Sequence, residues 1–402
     1  MNNTWTAILV EMVAMLTSAI VFPVALRFAK RHGIVDNPNA RKLQRIPVPV
    51  FGGVVVFLGI LAGGLVLMML MPNAMLMWGL AAMAMMMVIG TWDDIRDLPA
   101  SLRFLIEIML VGCFIFTTDV YINDLHGLWG INVLTPWVGV PLSVFAGVGI
   151  INAINLIDGV DGYSSGYGMM SCLCFAIAFW SVGSPVMVCM SLIVMGALLP
   201  FFLHNVFGGR SKMFIGDGGT LMLGMLMVMI SFYGMSGHGS LKSMEQHGLC
   251  IPAFLVAVGC IPLFDTLRVM TMRILRGTSP FKPDKTHLHH LFIDMGFSHL
   301  GAALFILLIN AMVVIVWLLA WKTGLSLDVQ MYVVLALGLM VTFCFYKFMK
   351  IQQNGGPMDE VGYPKGTRLW HFMCRMGEWT HRENKHMWRV MKDIMDGPML
   401  GG

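Results

Sequence analysis

Residues 136–162 read P-W-V-G-V-P-L-S-V-F-A-G-V-G-I-I-N-A-I-N-L-I-D-G-V-D-G. An apolar run of about twenty residues has the length of a membrane-crossing helix. This one ends in two asparagines three apart, Asn152 and Asn155, then two aspartates three apart, Asp158 and Asp161. An unpaired carboxylate within lipid costs several kcal/mol. The acids therefore mark where the chain leaves hydrocarbon for an interface.

The same pattern recurs along the chain. Of 402 residues, 57% are hydrophobic and 12% charged, with a mean hydropathy of +0.76. A soluble protein carries roughly a quarter charged residues. Eleven apolar stretches qualify as spans, near 5–28, 49–71, 74–91, 101–118, 136–155, 164–183, 185–204, 218–236, 249–272, 299–321 and 329–348. The expected fold is all-α, a polytopic membrane protein of about ten or eleven helices. The first stretch lacks a basic flank and a small-residue cleavage site, so it reads as a retained span. The eight cysteines form no C-x-x-C pair, which argues against a thiolate zinc site. The methionine-rich A-M-A-M-M-M-V at 82–88 reads as apolar core.

Basic residues set the expected orientation. Of the 26, all but Lys242 and Lys322 fall on one side of the eleven-span arrangement. The positive-inside rule makes that side cytoplasmic, with the N-terminus outside and the C-terminus inside. Residues 1–350 form the membrane-embedded part and 351–402 a basic tail. Within that tail, 368–392 mixes Trp, Met and Phe with Arg and Lys, as in an amphipathic helix lying on the cytoplasmic leaflet.

Three acidic clusters share that cytoplasmic side: W-D-D-I-R-D-L (92–98), Asp158 with Asp161, and F-I-G-D-G-G-T (214–220). Gathered carboxylates repel unless a cation neutralises them or one keeps its proton. An all-oxygen donor set suits Mg²⁺ or Mn²⁺, which leaves positions for substrate phosphates. Such a site fits a nucleotide diphosphate. Gly159, Gly162, Gly216, Gly218 and Gly219 are expected to let the backbone approach a phosphate. Glu107 reads as a helix partner of Arg103, and Asp265 of Arg268. A further loop, R-G-T-S-P-F-K-P-D-K-T-H-L-H-H-L-F (276–292), crowds His287, His289 and His290 beside Arg276, Lys282 and Lys285. It reads as an anion clamp, a histidine metal site or a packed loop, and its positive charge argues against the metal.

Taken together, G-I-V-D-N-P-N-A-R-K (33–42), P-V-F-G-G (49–53), D-D-I-R-D-L (93–98), N-A-I-N-L-I-D-G-V-D-G (152–162), F-I-G-D-G-G-T (214–220) and H-L-H-H (287–290) resemble the polyprenyl-phosphate N-acetylhexosamine-1-phosphate transferases. The resemblance implies a magnesium-dependent enzyme of the bacterial inner membrane. Undecaprenyl phosphate attacks the β-phosphorus of a UDP-sugar, giving undecaprenyl-diphosphate-sugar and UMP. It implies catalytic roles for Asp93, Asp94, Asp158, Asp161, His287, His289 and His290. Within the first pair, one acid would accept a proton and the other help hold the metal. Asp217, Asp94 and Asp158 would hold magnesium. Asn155, Asn205, Phe214 and Arg276 would bind substrate, with Asn205 and Phe214 at the uracil. Arg41 and Lys42 would bind phosphate or serve as plain positive-inside charge.

S-P-F-K-P-D-K-T-H-L-H-H is similar to the branch that transfers GlcNAc-1-phosphate or related amino sugars. The other branch transfers phospho-MurNAc-pentapeptide. Two departures from the family pattern are Thr220, where serine is usual, and Tyr163, where leucine is common. The expected partners are the UDP-sugar, undecaprenyl phosphate and the bilayer, with a homodimer among the permitted assemblies and no nucleic acid. A transporter would place its acids near the bilayer midplane, whereas here they cluster at the cytoplasmic ends and only Glu11, Glu107 and Asp265 lie within spans. A non-catalytic scaffold would have lost the motif acids, and all are present.

Overall fold

The computed structural model describes residues 3–37, 46–280, 284–354 and 367–395. Arg41 and Lys42 lie outside the described residues. The described chain is mostly helical, with loops, two isolated bridges and one two-residue strand pairing between the helices. Val35–Asp36 (β1) runs antiparallel to Val48–Pro49 (β2), with Val35 opposite Pro49 and Asp36 opposite Val48.

The helices are α1 (Asn3–His32), α2 (Gly52–Leu70), α3 (Ala74–Arg96), α4 (Ala100–Thr118), α5 (Pro136–Leu156), α6 (Tyr163–Ser181), α7 (Pro185–Phe207) and α8 (Gly216–Met235). They continue as α9 (Ile251–Val258), α10 (Cys260–Leu275), α11 (Leu288–Asp294), α12 (His299–Lys322), α13 (Leu327–Leu339), α14 (Tyr346–Asn354) and α15 (Arg368–Met395). A π-helical turn, Met340–Phe345, joins α13 to α14.

Each of the eleven expected stretches is helical, but they are not eleven alike. Among the described residues, nine helices are long and apolar enough to cross a membrane. Stretch 249–272 is instead a pair, α9 and α10, bent by 74°. Stretch 164–183 forms α6, which is not one of the nine; its first turns carry Tyr163, Ser164, Ser165 and Tyr167, all buried.

The centre of the bundle is α8, which packs against α2, α3 and α5. Leu221 through Ile230 are all buried, so the helix is apolar on every side, as a helix enclosed by others must be. By contrast Ile20, Phe116, Phe145 and Leu308, on α1, α4, α5 and α12, are exposed, as lipid-facing residues are. Glycine lets α8 approach its neighbours at backbone distance. A Cβ on Gly90 of α3 would lie 2.5 Å from the Asp217 backbone, and one on Gly53 of α2 would lie 2.3 Å from the Gly219 nitrogen. The start of α8 is therefore pinned between two helices.

The bend at Gly259 breaks the helical ladder in the bundle's interior, where bare backbone groups are costly. A buried asparagine on α12 repairs it. Asn310 Oδ1 accepts from Ile261 N at 2.9 Å, and its Nδ2 donates to Val258 O at 3.0 Å. The bend is thereby fixed, and α10 is aimed at the acidic end of the bundle.

Replacing Asn310 with Leu would leave those two backbone groups unsatisfied. It is expected to destabilise the fold by about 1–3 kcal/mol. Thermal unfolding of the purified protein should show a lower Tm for Asn310→Leu than for a volume-matched change at the exposed Leu308.

Candidate active site

The predicted motifs meet at one end of the bundle, where α3, α5 and α7 finish and α8 begins. Backbone bonds join P-V-F-G-G to F-I-G-D-G-G-T. Phe214 N donates to Pro49 O at 2.8 Å, Gly52 N to Phe214 O at 2.9 Å and Gly53 N to Ile215 O at 2.7 Å. Val50 and Phe214 form a parallel bridge. Two segments distant in sequence are thus one wall.

Asp94 closes the next side. Its carboxylate accepts from Asp217 N at 3.0 Å and Gly218 N at 3.3 Å. Those amides open α8, where backbone N–H groups lack helical partners and the helix dipole favours a negative charge. Asn155, in the last turn of α5, donates to Asp217 Oδ1 at 2.7 Å and to Thr220 Oγ1 at 2.9 Å. The hydroxyl at 220 is therefore in use, and threonine supplies it as serine would.

Asp93 is placed differently from its neighbour. Its Oδ1 accepts from Leu98 N at 2.7 Å and its Oδ2 from Arg103 at 3.0 Å. Arg103 also lies 3.6 Å from Glu107 and 3.8 Å from Asp217, and Glu107 in turn takes Asn152 Nδ2. The expected Arg103–Glu107 pair thus exists within a larger network under the site.

A cavity of about 350 Å³ opens here. Asp94, Asp158, Asp161, Asn205, Phe214 and His290 line it, together with Asp36, Lys212 and His299. Asp161 is held by Lys212 at 2.7 Å and His299 at 2.9 Å. Burial pushes its carboxyl up, but His299 and Lys212 overcome that and hold it below the usual range. Among the described residues Asp158 has only the Ser164 hydroxyl, at 2.6 Å. Burial, then the Asp217, Asp161 and Asp36 carboxylates, push Asp158 up to about 7 against that one bond. Two aspartates three apart thus have opposite electrostatic settings. Asn205 connects two loops: its Oδ1 accepts from Gly162 N at 2.7 Å and its Nδ2 donates to Met213 O at 3.0 Å.

The histidines reach the site through α10 and α11. Asp265 pairs with Arg268 at 2.6 Å, as expected, and also takes His287 Nδ1 at 2.9 Å and Leu288 N at 3.1 Å. His287 Nε2 is buried with no partner among the described residues. His289 packs on Gly159, where a Cβ would lie 1.9 Å from its Nε2. Burial and the neighbouring rings push His289 well below the ordinary histidine range, and His290 down to about 4. Both are neutral near pH 7 and bring no charge to the expected clamp, of whose cations Lys282 lies outside the described residues. Arg276 is exposed at the end of α10 and does not line the cavity.

The glycines also divide their work differently from expectation. Gly159 and Gly216 do line the cavity. Gly218 and Gly219 face α3 and α2 instead, where Cβ atoms would lie 2.4 Å from Thr91 Oγ1 and 2.9 Å from Gly53 Cα. Lys212, His299 and Asp36 were not singled out in sequence. Lys212 counts there only toward orientation charge, His299 belongs to no motif, and Asp36 sits unassigned inside G-I-V-D-N-P.

At the opposite end of the bundle, Asp124, His126 and Glu245 place ligand atoms within 4.8 Å of one another. Lys242 pairs with Asp124 there at 3.0 Å. This group is a bundle length from the cavity, since Asp124 N bonds Met235 O at the far end of α8.

The model of Glycosyl transferase family 4 matches residues 76–235. A Bacillus subtilis (strain 168) protein is 30% identical over 344 residues, covering 84% of this chain and 89% of its own length. The chain belongs to this family. That relative is named a probable undecaprenyl-phosphate N-acetylglucosaminyl 1-phosphate transferase. An Escherichia coli (strain K12) relative, an undecaprenyl-phosphate alpha-N-acetylglucosaminyl 1-phosphate transferase, is 30% identical over 80% of this chain and 85% of its own. A Yersinia pestis protein of the same name is 28% identical over 73% of this chain and 78% of its own. The family match runs from α3 through α8 and so contains Asp93, Asp94, Asp158, Asp161 and Asp217, while Asp36 and the histidine loop lie outside it.

The raised Asp158 carboxyl has a thermodynamic consequence. Its pKa lies above the ordinary 3.8, so the folded state holds the proton more tightly than the unfolded chain. That stabilisation is complete below about pH 4 and lost as pH rises toward 7. In EDTA, Tm is expected to fall across this window, and Asp158→Asn to fall less. Equal slopes for both proteins would refute the assignment.

Proposed function

We propose that the protein transfers GlcNAc-1-phosphate from UDP-GlcNAc to undecaprenyl phosphate. The products are undecaprenyl-diphosphate-GlcNAc and UMP, opening a lipid-linked surface glycan. The observation that carries this reading is the cavity itself. Asp94 and Asp158 stand in it with Lys212 and Phe214, at the end of a bundle of apolar helices, where a membrane lipid's phosphate and a water-soluble nucleotide can meet. The relatives' names support the substrates, and none of those named favours the pentapeptide branch.

In this reaction a lipid phosphate oxygen forms a bond to the β-phosphorus. The anhydride bond between the β-phosphorus and its bridging oxygen breaks, and that oxygen leaves on UMP. One phosphoanhydride replaces another, so positioning and charge neutralisation supply the catalysis. Lys212 Nζ offers cationic charge at the cavity wall, and the Phe214 ring beside it offers an apolar face for the base. His287 Nε2 is a buried nitrogen with no partner among the described residues, though His287 does not line the cavity. Asp265 fixes that ring by holding its Nδ1.

The donor set fits Mg²⁺ or Mn²⁺. Asp94 and Asp158 bring carboxylate oxygens to the cavity wall, whereas Asp217, bonded to Asn155, does not line it. The crowding that raises the Asp158 pKa is what a divalent cation relieves. When bound, the ion supplies neutralisation of diphosphate charge. By the basic-residue asymmetry, the cavity faces the cytoplasm of a bacterial inner membrane, as does the C-terminus.

The test is UMP release from purified protein given undecaprenyl phosphate, Mg²⁺ and either UDP-GlcNAc or UDP-MurNAc-pentapeptide. Lipid-dependent release from UDP-GlcNAc alone is expected, falling by ~100-fold or more in Asp217→Asn. Release only from the pentapeptide donor would overturn the substrate, and release insensitive to Asp217→Asn would overturn the site.

A further inference from the structure

Helix α15 carries three separate sectors, and the bundle accounts for only one of them. At 100° per residue, Trp370, Met373, Cys374, Gly377, Met391 and Met395 share one sector. Trp370, Met373 and Cys374 are buried, and Gly377 sits against the turn at Met295 and Gly296. Farther on, Ser298 Oγ donates to Thr380 O at 3.4 Å. Met391 and Met395 pack on Val206, Phe207 and Leu300. These contacts fasten α15 across the active-site ends of α12 and α7, next to His299 and Asn205.

The second sector is uncovered and, apart from Glu383, apolar. Leu369, Phe372, Trp379, Met387, Val390 and Ile394 fall within one arc of the helix, and all are exposed. Trp379 is 54% exposed and Ile394 67%. A soluble surface does not present such a stripe along a whole helix.

The third sector is an arginine ladder. Arg368, Arg375, Arg382 and Arg389 recur every seventh residue, which stacks them on one line along the helix. All four are exposed, and Lys385 lies beside them. Glu378 and Glu383 are the only acids on the exposed surface described for this helix. The ladder directly borders the apolar arc.

We propose that α15 lies in the headgroup layer of the leaflet at the active-site end. Its apolar arc enters the acyl boundary and its arginine ladder binds the phosphates of anionic phospholipids. The bilayer is the occupant the features select. A second copy would bury the apolar arc but leave the ladder facing like charge, whereas anionic headgroups complement it along its full length. The helix is fastened to a bundle of apolar helices at the end where they meet the interface, so its free face is already at headgroup depth. Each basic residue near such a surface raises binding about fivefold at low salt.

The experiment uses the full chain in vesicles of phosphatidylcholine, with or without phosphatidylglycerol, with bromine on the phosphatidylcholine acyl chains. The Trp379 signal is the difference in quenching between wild type and Trp379→Phe, and it reads immersion independently of catalysis. Quenching is expected to be about twofold or more stronger with phosphatidylglycerol, to weaken with salt and to lose its phosphatidylglycerol dependence in R375Q/R382Q/R389Q. These arginines are exposed, so the triple variant is expected to keep the wild-type Tm, and this is measured alongside. Absence of a Trp379 signal in the anionic vesicles would overturn the proposal. So would equal quenching in both vesicles for both proteins, or Trp379 shielded by a cross-linkable second copy.

Discussion

The interaction on which the site depends is the carboxylate of Asp94 across the first amides of α8. It joins the end of one helix to the start of the central one. Helix starts attract anions, and here the anion is supplied by the chain itself. The Gly90 and Gly53 approaches fix the distance over which that contact can form. Once α8 is seated, Asp217 faces Asn155, and Asn155 draws in the end of α5. The turn that follows α5 then presents Asp158 and Asp161 to the cavity.

The electrostatics follow from this convergence. Several acids share one end of the bundle, and their neighbours make them unequal. Asp93 is held by Arg103, Asp161 by Lys212 and His299, and Asp94 by two backbone amides. Asp158 receives one hydroxyl among the described residues, and burial with the neighbouring carboxylates pushes it up to about 7. The cluster is therefore a graded set in which counter-charges are assigned one by one.

Much of the fold was legible because membrane spans announce themselves by length and apolarity. The positions of the eleven helical stretches needed nothing more. The 74° bend did not announce itself, since Asn310 repairs it from a helix fifty residues away and reads in sequence as a lone polar residue. The site was legible through its acids and its two-glycine motifs, because those residue types are rare at the ends of apolar runs. Lys212 and His299 were not, because a loop lysine counts as orientation charge and a helix-opening histidine has no spacing signature. The roles of Gly218 and Gly219 were hidden for a related reason. Sequence shows that a glycine permits close approach, but only the packed helices show that the approaching groups belong to α3 and α2.

The contact between Gly159 and His289 ties two distant motifs together more tightly than proximity alone. The imidazole nitrogen occupies the space where any side chain at 159 would begin. Neither position can drift by itself. A lineage that gains a methyl at 159 must first shrink or swing the ring at 289. A lineage that loses the ring frees 159 to vary. The two positions therefore behave as one heritable character, and a damaging change at the first should find its suppressors at the second.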